Sequence, residues 1–187
     1  MYTGKNRVAR RSMLWLDQAL MELLQTESYS EITVKDLCKK ADLSRQTFYQ
    51  LFGSKDEIMG YHFSGLLEKF KKDCGNSEQF SCRELVCRFF GFFCQEKEFI
   101  SVLIDHHMTY FLEQQFEIYL PQISLFRNHC AQTTHPDYFV AYIAGGLTQT
   151  FVSWFQNGFH PDIDRLGELT EDIIRGEIYR KEMELQH

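Results

Sequence analysis

A chain of 187 residues with a formal net charge of -6, 17 phenylalanines and only 3 prolines has the mass for one or two domains, and favours helices over strands. No run approaches about 20 uninterrupted apolar residues, which argues against a membrane span. The basic start MYTGKNRVARR is not followed by an apolar run and a small-residue cleavage site, which argues against a secretory signal, so a cytoplasmic protein is expected.

In chain order, Leu16, Leu20, Leu23 and Leu24 repeat at helical spacing and predict a first helix from about Val8 to Thr26. The polar stretch ESYSEI breaks it. Thr33 can cap a second helix with Val34, Leu37, Cys38 and Ala41 on one face. Asp42 falls where the chain leaves that helix, in a left-handed turn that Asp tolerates better than most residues. Ser44 caps a third helix of two turns, with Phe48, Leu51 and Phe52 inward and Arg45, Gln46 and Tyr49 outward. Gly53 ends it, and Ser54 with Glu57 forms a capping box for a fourth helix carrying Met59, Phe63, Leu66, Leu67 and Phe70 inward. CGNSEQFS reads as the loop that closes this helix.

Ser81 and Glu84 make another capping box, opening SCRELVCRFFGFFCQEK. A short apolar piece from Phe99 to Ile104 precedes DHH. The segment from Thr109 to about Ala131 contains Pro121, which should kink or split it. Pro136 suits the first turn of a helix reaching about Gln156. NGFHPD connects this to a last amphipathic helix from about Arg165 to Glu184.

The six cysteines (38, 74, 82, 87, 94 and 130) contain no Cys-x-x-Cys pair, so neither a zinc knuckle nor a dithiol motif is written here, and buried free thiols are expected. The exception considered is Cys87 with Cys94, one heptad apart, as a thiol sensor. Adjacent His106 and His107 point about 100° apart on a helix and do not readily share one ion; a helix-end or loop role is expected for them, and no metal site. No catalytic Ser/His/Asp set, phosphate loop or paired acid motif stands out, so no enzyme activity and no cofactor are expected.

Charge is unevenly placed. Residues 1–55 hold nine Lys/Arg against six Asp/Glu, whereas residues 56–187 hold eleven against twenty. A weakly cationic head on an acidic body follows, with much of the positive charge in Lys5, Arg7, Arg10 and Arg11. Two short helices joined by a tight turn, the second with a polar outer face, form a helix-turn-helix, whose physical use is to place the start of the second helix in the major groove. Arg45 matches guanine O6/N7 and Gln46 matches adenine N6/N7, while Tyr49 and Lys55 suit phosphate oxygens. The candidate DNA-binding set is Thr33, Ser44, Arg45, Gln46, Thr47, Tyr49 and Lys55, with the basic arm adding backbone or minor-groove contacts.

The stretch ITVKDLCKKADLSRQTFYQLFGSKDEI resembles the N-terminal signature of TetR family transcriptional regulators. The shared frame is Thr33-Val34, Leu37-Cys38, Ala41, Leu43-Ser44, Thr47-Phe48-Tyr49, Phe52 and Ser54 to Ile58; it departs at Asp42, where the family often has glycine, and at Leu51, where an aromatic or histidine is common. The resemblance covers about residues 10 to 60. It implies an all-α protein with a basic arm (1–11), a three-helix helix-turn-helix DNA-binding domain (12–58) and a helical ligand-binding and dimerisation domain (59–187). It further implies a homodimer on double-stranded palindromic operator DNA, and a small-molecule effector. The last two long helices of each subunit would pair in a four-helix bundle. In these helices Val140, Ile143, Leu147, Phe151 and Trp154, widened by Phe139, form one apolar stripe and Leu166, Leu169, Ile173, Ile174 and Ile178 the other, each to be buried inside the subunit or against a partner.

For an apolar or aromatic effector the candidate pocket residues are Phe89, Phe93, Leu103, Met108, Phe111, Tyr119, Tyr142, Phe151 and Trp154, and Gly145-Gly146 would let a helix or ligand approach closely. The expected function is a ligand-responsive regulator, a repressor released by its effector. The alternative is a coactivator or interaction module of the same fold that does not bind operator DNA.

Overall fold

The computed structural model describes residues 6–74, 80–123, 126–127 and 130–176. Among these, regular structure is helical, with no strand: α1 (Arg7–Leu23), α2 (Val34–Lys40), α3 (Arg45–Leu51), α4 (Lys55–Cys74), α5 (Cys82–Gln95), α6 (Lys97–Asp105), α7 (Tyr110–Tyr119), α8 (Pro136–Gln156) and α9 (Ile163–Arg175). A 3-10 turn, Leu120–Gln122, follows α7 with Pro121 inside it, so the proline does split the long segment. Pro136 opens α8 at its first turn, as its fixed φ favours. No helix among the described residues is long and apolar enough to cross a membrane.

The chain forms two compact units. One is built from the chain up to Lys69 together with Ser101–Phe111, the other from Phe70–Ile100 and the chain from Leu112 onward. The first unit therefore extends beyond residue 58 and takes in a segment 101–111 that is distant in sequence. Its core is the apolar stripe of α1 (Leu16, Leu20 and Leu24) with Leu37, Phe48, Phe52, Ile58 and Phe63, each almost fully buried. Side chains of this size stabilise by roughly 1.5–3 kcal/mol each when removed from water. Asp17 and His62 tie α1 to α4: a carboxylate only accepts, so the ring Nδ1 at 2.9 Å must carry the proton.

In the second unit an aromatic cluster joins the aliphatic packing. Phe89 lies 4.6 Å from Phe93 and 4.8 Å from Phe116, centroid to centroid, and Phe90 contacts Phe151 at 5.0 Å. Helices α5 and α9 meet closely at Gly167, where an added Cβ would stand 2.4 Å from Cys87 Sγ. Among the described residues Gly145-Gly146 shows no close approach: a Cβ on Gly145 would meet Glu113 at an ordinary 3.5 Å, and one on Gly146 would meet nothing within 4 Å. Glycine matters instead where α9 passes over α5. The Cys87 thiol donates to Ile163 O at 3.3 Å, and Arg83 pairs with Glu168 at 3.1 Å.

α9 stops at Arg175, because Gly176 turns left-handed (φ 69°) and its N–H returns to Ile173 O. The helix predicted to run to Glu184 is thus shorter at its described end; residues 177–187, Ile178 among them, lie outside the described residues, as do residues 1–5 of the basic arm and 75–79 of the predicted loop. Arg7, Arg10 and Arg11 fall in the first turns of α1, capped by Asn6, whose side chain accepts from Val8 N–H at 2.9 Å.

Candidate nucleic-acid interface

The reading pair is built by its caps. Thr33 Oγ1 accepts from Asp36 N–H at 3.3 Å while the Asp36 carboxylate accepts from Thr33 N–H at 3.1 Å, a reciprocal box that starts α2. The Thr33 hydroxyl, which donates to the Asp36 carboxylate, and after it the Thr33 N–H hold that carboxyl below its usual range. Leu37 and Cys38 are buried and anchor the helix. Asp42 adopts φ 52°, the left-handed conformation that a short polar side chain tolerates better than most.

Ser44 Oγ then accepts from Thr47 N–H at 3.0 Å and starts α3. Phe48 and Leu51 bury themselves, as the spacing predicts, and Phe52 follows them inward. That burial fixes the rotation of α3, leaving Arg45, Gln46 and Tyr49 exposed, Tyr49 at 61 %. Their guanidinium, carboxamide and phenol share the outer side of the second helix of a helix-turn-helix, the geometry that delivers side chains to base edges. Thr33, Ser44 and Thr47 act here as cap and cap partner; Ser44 and Thr47 hydroxyls also bond each other at 2.9 Å.

Lys55 is also engaged inside the fold. Its ammonium donates to Ile32 O at 3.0 Å and to Tyr29 O, and lies 4.2 Å from the centroid of the Tyr29 ring. Two of its three N–H groups thus hold the α1–α2 loop, leaving the third for the phosphate contact expected of it. Tyr29, passed over in sequence as part of a polar break, is the centre of this arrangement. Its hydroxyl donates to Asp56, its N–H donates to His106 Nδ1 at 3.4 Å, and its ring meets Phe111 edge-on at 6.3 Å. Burial first, and the Asp56 bond second, push the Tyr29 phenol well above its ordinary pKa, so it stays a donor. No local signal marks this cluster, because its partners lie 26 to 82 residues away in sequence.

His106 and His107 take the helix-end role expected of them. His107 is left-handed (φ 55°), His107 N–H returns to Ile104 O at 3.1 Å and Met108 N–H to Leu103 O at 2.6 Å, closing α6 in a paired C-terminal turn. On α1, Arg11 stacks over exposed Trp15 at 4.7 Å.

The residues predicted to line one effector pocket are dispersed. Leu103, Met108 and Phe111 belong to the first unit and are buried there. Phe89, Phe93, Phe151 and Trp154 lie in the aromatic cluster of the second unit, and Tyr119 covers Lys71 at 4.3 Å. Tyr142 is 73 % exposed, because α8 turns Ile143, Leu147, Phe151 and Trp154 inward and leaves Tyr138 and Tyr142 on its outer side. It cannot line a buried pocket of its own unit. The apolar stripe of α8 thus serves this subunit's own core. Among the described residues, Thr148 Oγ1 is buried with no hydrogen-bond partner.

Comparison with known proteins agrees with this geometry. The sequence profile of the bacterial regulatory proteins, tetR family, matches residues 17–61. The HTH-type dhaKLM operon transcriptional activator DhaS of Lactococcus lactis subsp. lactis (strain IL1403) is 24 % identical over 108 residues, 57 % of this chain and 57 % of that protein, so the match spans little more than half the length of either. Among solved structures, a TetR transcriptional regulator from Streptococcus agalactiae 2603V aligns with a TM-score of 0.61 at 20 % identity, over 91 % of this chain and 97 % of its own. A dihydroxyacetone kinase operon activator DhaS aligns with a TM-score of 0.52 at 18 % identity, over 90 % and 96 %. Residues 17–61, which hold the helix-turn-helix, are thus similar to the tetR family of bacterial regulatory proteins, and the likeness of the longer chain to solved structures is one of fold.

Proposed function

We propose that the chain regulates transcription as a homodimer that reads a palindromic operator with α3, Arg45 and Gln46 contacting bases and Tyr49 a phosphate. The observation that carries this reading is the rotation of α3 fixed by buried Phe48 and Leu51, which turns all three polar side chains outward. Two-fold symmetry would set the paired α3 helices about one DNA turn (~34 Å) apart. The pairing face is the outer side of α8 and α9, where Tyr138, Tyr142, Leu169 and Ile173 remain exposed at 43–78 %.

An apolar or aromatic effector with one polar group suits the second unit. The aromatic cluster supplies apolar contact, and the Thr148 hydroxyl, costing roughly 1–3 kcal/mol while unsatisfied, would gain a partner. Such an effector shifts DNA affinity only by binding one state of the dimer better than the other. Release of a repressor by the effector is one sign of control. Activation is the other, favoured by the description of the Lactococcus lactis relative as an activator. Deleting the gene and measuring the neighbouring transcript separates the two: a rise identifies a repressor, a fall an activator.

DNA reading itself is tested by fluorescence anisotropy, comparing the chain's own upstream duplex with a scrambled duplex at several salt concentrations. Specific sites bind roughly 10³-fold or more tighter than random DNA at physiological salt. Equal affinity for both duplexes, even at low salt, would leave the interaction-module alternative standing.

A further inference from the structure

We propose that His106 is a positioning residue for DNA binding: it grips the loop that leads into α2, so that any displacement of segment 101–111 reaches the reading helices. This rests on the reading of α3 as the DNA-contacting element.

The inference starts from hydrogen-bond polarity. Tyr29 N–H can only donate, so His106 Nδ1 accepts it and the ring proton sits on Nε2, which donates to Leu24 O at 3.1 Å. One imidazole therefore closes both ends of a short stretch between α1 and α2. Four residues beyond Tyr29, Thr33 caps α2, and on the opposite side Lys55 and Asp56 at the start of α4 hold the same loop through Tyr29. The histidine itself is held by the closed turn at the end of α6, where His107 occupies a left-handed conformation uncommon for non-glycine residues.

The grip is narrow. Bonds of 3.1 and 3.4 Å fail with a further movement of a few tenths of an ångström to about one ångström, so a shift of residue 106 either carries the loop with it or releases it. Either outcome alters the start of α2, and through Asp42 the attitude of α3. The task differs from base reading, since His106 acts through Tyr29 N–H and Leu24 O. Sequence separation hides it, because His106 lies 77 residues from Tyr29 and 82 from Leu24.

The test uses the full chain with His106→Ala and His106→Gln, below the melting transition of both as read by circular dichroism. Amide hydrogen exchange at Tyr29 and Asp36 reports the grip without DNA, and anisotropy on the upstream duplex reports its consequence. Loss of one or two hydrogen bonds should speed exchange at both amides and weaken specific binding by about five- to ten-fold in His106→Ala. The slope of affinity against salt stays unchanged, because no phosphate contact is lost. His106→Gln, whose amide retains a donor for Leu24 O, recovers part of both effects. It also carries the test should the alanine variant fail to fold.

Exchange and affinity both within two-fold of the unaltered chain would overturn the proposal, as would faster exchange without any loss of affinity, the signature of a purely stabilising residue. An unaltered chain that shows no operator preference would instead defeat the reading of α3, and with it a DNA-positioning role for His106.

Discussion

Arg45 and Lys55 are both expected to meet DNA, and the fold engages them differently. Arg45 stands exposed on α3, whereas Lys55 is turned to Ile32 O and Tyr29 O. Their alanine or methionine variants should therefore differ in kind. Arg45→Ala should lower the ratio of specific to random binding by about 1–3 kcal/mol at one base pair, read from a panel of single-base operator variants. Lys55→Met should cost about 1–3 kcal/mol of thermal stability, since two carbonyls lose a charged donor. A fall in the salt slope of DNA binding by about one would place the third N–H of Lys55 on the phosphate backbone, and an unchanged slope would confine Lys55 to the loop. Asp42, by contrast, was legible in sequence: a short polar residue after an apolar helical repeat takes the left-handed turn at φ 52°. What escaped was Tyr29, a single aromatic in a polar stretch whose partners are all distant in the chain.

At the level of elements, caps and prolines were readable because they act within three or four residues. Thr33, Ser44, Ser81, Pro121 and Pro136 all start or split helices where their chemistry dictates. The Ser54–Glu57 box is modified: Glu57 N–H donates to Ser54 Oγ at 3.4 Å, but the Glu57 carboxylate reaches back to Gly53 N–H. Helix-against-helix spacing was not readable, since Gly167 looks unremarkable until α9 lies on α5. Gly167→Ala would force its Cβ to within 2.4 Å of Cys87 Sγ unless one helix moves. The expected loss is about 1–3 kcal/mol by thermal melting, partly relieved by adding Cys87→Ala.

The thiol-sensor alternative rests on Cys87 and Cys94, and of these Cys87 is held toward the thiol form. Burial raises the Cys87 thiol above its ordinary pKa and pushes Cys82 up to about 11. A raised thiol pKa means little thiolate at neutral pH and more only as pH climbs toward that value. Alkylation of Cys82 and Cys87 by iodoacetamide at pH 7.5 should accordingly be much slower than that of a free thiol, followed by mass spectrometry; rapid modification of either would favour redox sensing.

On the scale of the whole molecule, a helical fold with an N-terminal helix-turn-helix head was written in the sequence, because the head's apolar frame and caps agree over consecutive residues. The boundary of that head was not, as segment 101–111 joins it from far along the chain. Nor was the pairing face. The stripe Ile143, Leu147, Phe151 and Trp154 was available for a partner or for the core, and tertiary packing assigns it to the core, leaving Tyr142 and Ile173 outward. Tyr142→Asp with Ile173→Asp should convert a dimer of twice the 22.2 kDa chain mass into monomer by light scattering, and should reduce operator binding with it. A dimer that persists would place the pairing face elsewhere.

The claim on which the rest depends, that α3 reads the major groove, is tested most directly by methylation interference on the upstream duplex. Methylating guanine N7 blocks the major-groove edge that a guanidinium recognises. Reading by α3 predicts interference at guanines in two half-sites about one turn (~10 base pairs) apart, with the interference at one guanine of each half-site lost in Arg45→Ala. Binding indifferent to guanine N7 methylation, or blocked only by methylation at adenine N3 in the minor groove, would contradict it.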